Sequence, residues 1–248
     1  MEKNIDSFIR LQLPEYLRPA RHRMAAFVGA GPEEIVFVPN ASHGINTVLR
    51  NFVWNKDDII ITGRRQQPSH MCTLLNCPAA TTTYPAVERT VQYISDLSPH
   101  PSVSVFHLNF PTTRVSILQS FRLHVDTLSS KVRAKQRELG DETKLKIVAV
   151  IDSIVSNPGV HMPWKEMVAI CRERGILIVV DAAHSVGQEP NINLKEADPD
   201  FWISVWVALY WVCKRGVELN AHRTVTSGCT PNVPAPFFTC PNGKPHMN

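Results

Sequence analysis

The chain has 248 residues, 44% of them hydrophobic and 19% charged, which suits a soluble globular protein of one large or two small domains with a substantial core. The formal net charge is +4, but Lys and Arg are scattered and no basic patch is interleaved with aromatics, so composition argues against a nucleic-acid partner. The N-terminus is charged from its second residue and the longest apolar stretch, Phe201 to Cys213, is shorter than the ~20 residues a bilayer span needs, so a cytoplasmic chain with no membrane partner is expected.

Strand-like and helix-like segments alternate along the chain. "EIVFVP" (Glu34 to Pro39) reads as a short strand, and "SHGINTVLRNFVW" after it places Ile45, Val48, Leu49 and Phe52 on one helical face. "DDIIIT" (Asp57 to Thr62) is a second strand, and "PAVERTVQYISDL" (Pro85 to Leu97) is a helix with proline in its first turn. "VSVFHL" is a third strand, followed by a helix from Arg114 to Leu139 with Ile117, Phe121, Val125, Leu128 and Val132 at steps of three and four. Then come the strand "LKIVAVID", the helix "PWKEMVAICRERG" stopped by Gly175, and the strand "ILIVVD". Such alternation predicts an α/β fold with a mainly parallel sheet sandwiched by helices. Two stretches break the rhythm: residues 64–80, an aperiodic insertion, and residues 205–248, an aperiodic tail. The expected organisation is a partial large domain over residues 1–204 and a tail that is out of frame or disordered.

In parallel α/β sheets ligands bind at the carboxyl ends of the strands. Asp181 ends the strand "ILIVVD" and His184 lies in the loop beyond it, so both belong on that rim. A buried carboxylate there needs a cationic partner or hydrogen-bond donors. The plain alternative is that Asp181 caps a turn and His184 is merely at the surface. A metal site is disfavoured, because one carboxylate and one histidine lack further matched ligands, and Cys72, Cys77, Cys171, Cys213, Cys229 and Cys240 show no zinc-like spacing. A second rim feature is "PNASHGINTVLRN": Asn40 and Ser42 are good N-cap types and Gly44 permits close backbone approach, which makes a phosphate-type anion site at a helix start, or an ordinary cap. A phosphate cradle at one strand end and a carboxylate at another suit a cofactor with a phosphate and a protonated ring nitrogen, and pyridoxal 5'-phosphate has both.

On these segments the chain resembles the pyridoxal-phosphate enzymes of aminotransferase class V, fold type I, in the isopenicillin N epimerase-like and cysteine desulfurase-like branch. The resemblance runs from about Phe8 to Ser204 through "FIRLQLPEYL", "EEIVFVPNASHGINTVLRN", "TTTYPAVERTVQYI", "SNPGVHMPWKEMVAICRERGILIVVDAAHSVGQ" and "DPDFWIS". It implies that Asp181 pairs with the pyridinium nitrogen and that His184 approaches the ring hydroxyl. It further implies that Ser42, His43 and Gly44 meet the phosphate, with Ser204 as another contact, and that Tyr84 lies over the cofactor face; a tyrosine in the core is the alternative for that position. The family's site forms at a dimer interface, so a homodimer is implied for an intact relative, with a small-molecule amino acid as substrate.

The family also needs a lysine for the Schiff base and for proton transfer at the substrate α-carbon. Its setting is a His-Lys-Trp stretch just after the serine of "DFWIS", where this chain has Val207 and Ala208; Lys214 is the nearest lysine and lies past the matched position. Codons for His-Lys-Trp-Leu-Tyr read one base late give Thr-Ser-Gly-Cys-Thr, and residues 226–230 are TSGCT. The expectation is therefore that residues 205–225 are translated intron and that the lysine codon is read out of frame. Relatives open with a glycine-rich segment and close with a smaller domain, neither of which is found here, so the resemblance implies a large domain truncated at both ends. Two functions stay open: an enzyme acting at an amino-acid α-carbon, whether a C–S lyase such as the hercynylcysteine sulfoxide lyases or an epimerase, and a non-catalytic remnant or mis-spliced product.

Overall fold

A computed structural model describes residues 4–65, 82–97, 101–140, 144–205 and 210–213. A seven-stranded sheet forms its centre. The strands are β1 (Ile35–Val36), β2 (Ile59–Arg65), β3 (Ser102–Leu108), β4 (Ile147–Asp152), β7 (Leu177–Ala182), β8 (Phe201–Ser204) and β9 (Tyr210–Cys213); a separate hairpin pairs β5 (Ile154–Val155) with β6 (Val160–His161). The order across the sheet is β1-β9-β8-β7-β4-β2-β3. From β3 to β8 every pair is parallel, while β9 runs antiparallel to both β8 and β1. The mainly parallel α/β sandwich expected from the sequence is thus the observed architecture.

Helices cover both faces, because the central strands are apolar on both sides. Among the described residues the helices that pack on the sheet or follow its strands include α1 (Leu13–Val28), α2 (Ala41–Asn51), α3 (Pro85–Asp96), α4 (Arg114–Leu139), α5 (Trp164–Arg172) and α6 (Leu194–Ala197). On one side Ile147, Ala149 and Ile151 of β4 and Ile178 and Val180 of β7 meet Phe121, Val125, Trp164 and Met167 from α4 and α5. On the other side Val148, Val150, Val179, Phe201 and Ile203 meet Ile45, Val48 and Leu49 of α2 and Val87 and Val91 of α3. Strand alternation makes this sorting obligatory: Asp152 follows Val148 and Val150 in steps of two, and Asp181 follows Val179, so both carboxyls belong to the α2/α3 side.

Local chemistry sets the element ends. Thr113 caps α4 by accepting a hydrogen bond from the Ser116 amide, and Pro85 opens α3. At the amino edge of the sheet Asp58 is fully buried, yet it accepts from the Asn55 and Lys146 amides and from Lys146 Nζ at 2.5 Å, which ties β2 to β4. Sequence periodicity did not reveal α1, a helix that carries Pro19 in its interior. The stretch after Ser204, aperiodic in sequence, contains β9; residues 206–209 and 214–248 lie outside the described residues, as do 66–80 of the aperiodic insertion. Among the described residues no helix is long and apolar enough to cross a membrane.

Candidate functional site

Two strand ends and one helix start converge at the carboxyl edge of the sheet. From β2 the chain proceeds to β3 on one side, whereas from β4 it proceeds to β7 on the other, so the winding reverses at this point; ligands of open α/β sheets sit at such a reversal. A cavity of about 650 Å³ opens here, lined by residues that include Ser42, Tyr84, Asp152, Asp181 and His184. That volume lies in the range of small-molecule sites.

Asp181 is held from below and from the side. The Ala183 amide donates to its Oδ1 at 3.1 Å, and its carbonyl accepts from the Ser153 amide at 2.9 Å. The Ser153 hydroxyl also reaches that carbonyl at 3.3 Å and shares a 2.5 Å hydrogen bond with Ser185, so the end of β7 is clamped to the exit of β4. Burial pushes the Asp181 carboxyl up to about 6, against the pull of the Ala183 amide and of His184. His184 is exposed at the cavity wall.

At the opposite wall α2 begins. The Asn40 side chain accepts from the His43 amide at 2.7 Å and its carbonyl accepts from Gly44, which leaves the Ala41 and Ser42 amides as first-turn donors without a partner among the described residues. The Ser42 hydroxyl is likewise in no hydrogen bond there, and Asn40, Ala41 and Ser42 all line the cavity. The helix start therefore offers two amides, a hydroxyl and the positive end of the dipole to an anion.

The other expected residues divide. Tyr84, 48% exposed at the head of α3, lines the cavity and is not a core tyrosine. His43 is exposed and its amide is consumed by the cap. Gly44 is buried away from the cavity, where an added Cβ would come within 2.9 Å of Ile203 Cγ2, so its lack of a side chain serves helix-to-sheet packing. Ser204 is fully buried at the end of β8 and its hydroxyl finds no partner among the described residues, but it does not line the cavity. Val207, Ala208, Lys214 and residues 226–230 lie outside the described residues, and no lysine lines the cavity among those described.

Sequence reasoning missed Asp152. The signal was present, since "LKIVAVID" ends in aspartate as "ILIVVD" does, but only the register of β4 on β7 sets Asp152 directly opposite Asp181. The remaining buried acids among the described residues have cations: Asp58 has Lys146, Glu189 has Lys165, and Asp200 has Arg172 at 3.0 Å. Asp152 and Asp181 have none, and these two line the cavity. A buried carboxylate without a protein cation is a place for a cationic ligand. The residues present thus fit a group with an anionic tail and a cationic ring, as pyridoxal phosphate has.

Comparison with known proteins places the chain among relatives of one family. The chain is 30% identical over 204 residues to the L-cysteine desulfhydrase-like protein lolT1 of Epichloe uncinata, covering 82% of this chain and 38% of that protein. It is 26% identical over 196 residues to the hercynylcysteine sulfoxide lyase of Schizosaccharomyces pombe, covering 79% of this chain and 41% of that one. It therefore spans about two fifths of the length of these curated relatives. In fold it is similar to a mutant of C-DES solved with glycine covalently linked to its PLP cofactor, with a TM-score of 0.59 at 17% identity, over 84% of this chain and 48% of that one. The aminotransferase class-V family model matches residues 10–90 and 106–204, and the chain belongs to that family.

Proposed function

We propose that this chain carries the cofactor-binding part of a pyridoxal-phosphate enzyme that works at the α-carbon of an amino acid, with C–S bond cleavage as its reaction type. The observation that carries the reading is Asp181: a buried carboxyl with no protein cation, in one cavity with the unpaired amides of a helix start. The names of the two relatives described above, a desulfhydrase-like protein and a sulfoxide lyase, support sulfur chemistry, and an epimerase is also among the matches. When bound, the cofactor supplies an electron sink for charge developing at the α-carbon.

The chain's own residues then have separable tasks. The Ala41 and Ser42 amides and the Ser42 hydroxyl bind the phosphate. Asp181, ionised, accepts the hydrogen bond from the protonated ring nitrogen and keeps that proton in place. His184, exposed beside it, would lie toward the ring hydroxyl, and Tyr84 would shield one ring face from water. Proton transfer at the α-carbon needs a base, and the family position for it falls at Val207 and Ala208; Lys214 is the nearest lysine in sequence. A small-molecule amino acid as substrate and a homodimer belong to the same proposal. The dimer is supported by exposed Ile9, Leu11, Tyr16 and Phe27 near the N-terminus, apolar side chains that a second copy would cover in part.

The second reading, a cofactor-binding chain without catalysis, is favoured by one observation: among the described residues no lysine lines the cavity. One experiment separates the readings. The purified 248-residue chain is mixed with pyridoxal phosphate, desalted, treated with borohydride and digested for peptide mass analysis. Cofactor fixed to a lysine supports the enzyme; cofactor retained but never fixed supports the non-catalytic reading; cofactor lost on desalting overturns both.

A further inference from the structure

Asp152 and Asp181 close adjacent parallel strands in direct register, and in such a pair both side chains leave the sheet on the same face about 5 Å apart. Asp152 is 9% exposed and Asp181 4%, and both line the cavity. The groups that face the pair are few. His184 comes from the loop beyond β7, and Tyr84 stands at the head of α3. On the far flank the Arg64 guanidinium of β2 is turned to Glu88 of α3 at 3.6 Å. Neither aspartate forms an ion pair among the described residues.

Two carboxylates this close and this buried do not both ionise cheaply, because like charges at short range in a poorly solvated site repel strongly. Their surroundings decide which one keeps a proton. Asp181 has the Ala183 amide and the neighbouring His184 to favour its anion, whereas Asp152 has only its own backbone amide. We propose that Asp152 is a second working carboxyl of this cavity, the member of the pair that holds the proton, and that it limits the cavity floor to one negative charge, matched to a ligand with one cationic ring nitrogen. The match to that ligand rests on the cofactor reading above; the assignment of the proton does not. Asp152 is in this sense a positioning residue. It sets the charge that Asp181 presents and offers its own O–H to an acceptor on the ligand.

The proposal makes the pair asymmetric, which a structural role for Asp152 would not. Burial raises both groups, and the charge of Asp181 raises Asp152 further, well above the usual carboxylate range. If Asp152 titrates second, Asp181→Asn removes the charge that opposes it and moves its step down by about one pH unit or more, whereas Asp152→Asn leaves the Asp181 step within about half a unit.

The test is a carbon-13 NMR titration of the full chain with labelled aspartate carboxyls, for the wild type, Asp152→Asn and Asp181→Asn, with and without pyridoxine 5'-phosphate, which has no aldehyde and so needs no lysine. The expected result is a late carboxyl step in the wild type that vanishes in Asp152→Asn and moves down in Asp181→Asn. Added probe near neutral pH then shifts the signal of the Asp181 carboxylate while Asp152 stays an acid. The reverse asymmetry, or a wild type in which both carboxyls are ionised near neutral pH without ligand, overturns the proposal. A probe that leaves every signal unmoved overturns the cofactor reading and the charge match, while the ligand-free titrations still decide which aspartate holds the proton.

Discussion

Gly44 of α2 lies so close to Ile203 of β8 that a methyl group at Gly44 would stand 2.9 Å from Ile203 Cγ2 and 3.3 Å from Val38 Cγ2. This contact sets the height of α2 above the sheet, and with it the place of the Ala41 and Ser42 amides at the cavity. Alanine would gain about 1 kcal/mol of helix propensity but lose about 1–3 kcal/mol to overpacking against a fixed branched side chain. Gly44→Ala is therefore expected to lower the urea midpoint and to weaken binding of pyridoxal phosphate, both measured on the same preparation. A higher midpoint with unchanged affinity would show that Gly44 does not set that spacing.

Stability without ligand should fall as pH rises. Asp181 moves from the usual 3.8 to about 6, so the folded chain holds this proton more tightly than the unfolded chain. The cost is absent below about pH 4, grows between 4 and 6 and is complete above, where it amounts to roughly 3 kcal/mol. Asp152, raised for the same reason and by its neighbour, acts in the same direction. Urea unfolding at pH 5 and pH 8 is expected to show the wild type losing stability relative to Asp181→Asn, and equal loss in both proteins would contradict the assignment.

The hydroxyl of Ser42 should matter to a phosphate more than to the fold. It is in no hydrogen bond among the described residues, so Ser42→Ala is expected to leave the unfolding midpoint nearly unchanged. Loss of one hydrogen bond to a charged group should weaken pyridoxal phosphate about tenfold in an equilibrium titration. Asn40→Ala should do more damage to the fold, because it removes the cap on the His43 amide, worth about 1 kcal/mol.

Cys171 on α5 is buried and packs among the residues beneath the sheet, and burial pushes its thiol up to about 12. Thiolate is the reactive form, so alkylation at pH 8 should spare Cys171 in the native chain and modify it in urea. Peptide mass analysis reads this at the single site. Rapid native modification would mean that α5 detaches readily from β4 and β7.

What was legible in the sequence followed from period and punctuation. The helix from Arg114 to Leu139 was bounded correctly because its apolar residues keep one face over its first five turns and Gly140 ends it. Asp181 stood out because a charge ended an unbroken apolar strand. Less was legible where only tertiary structure decides. "EIVFVP" forms just two paired residues, Ile35–Val36, at the edge of the sheet, where its partner among the described residues is β9. Gly44 looked like a phosphate contact until the approach of Ile203 became visible, and Asp152 became significant only through its register with Asp181. In α1, Pro19 hid a helix that packing stabilises through Ala25 and Val28.

The account as a whole depends on Asp181 holding a cationic ring. The most direct measurement is nitrogen-15 NMR of ring-labelled pyridoxal phosphate bound to the chain, in wild type and Asp181→Asn, at a pH where the free cofactor has lost its ring proton. The bound ring nitrogen should remain protonated in the wild type and lose that proton in the variant. A bound ring that is unprotonated in the wild type, or protonated alike in both, would contradict the account.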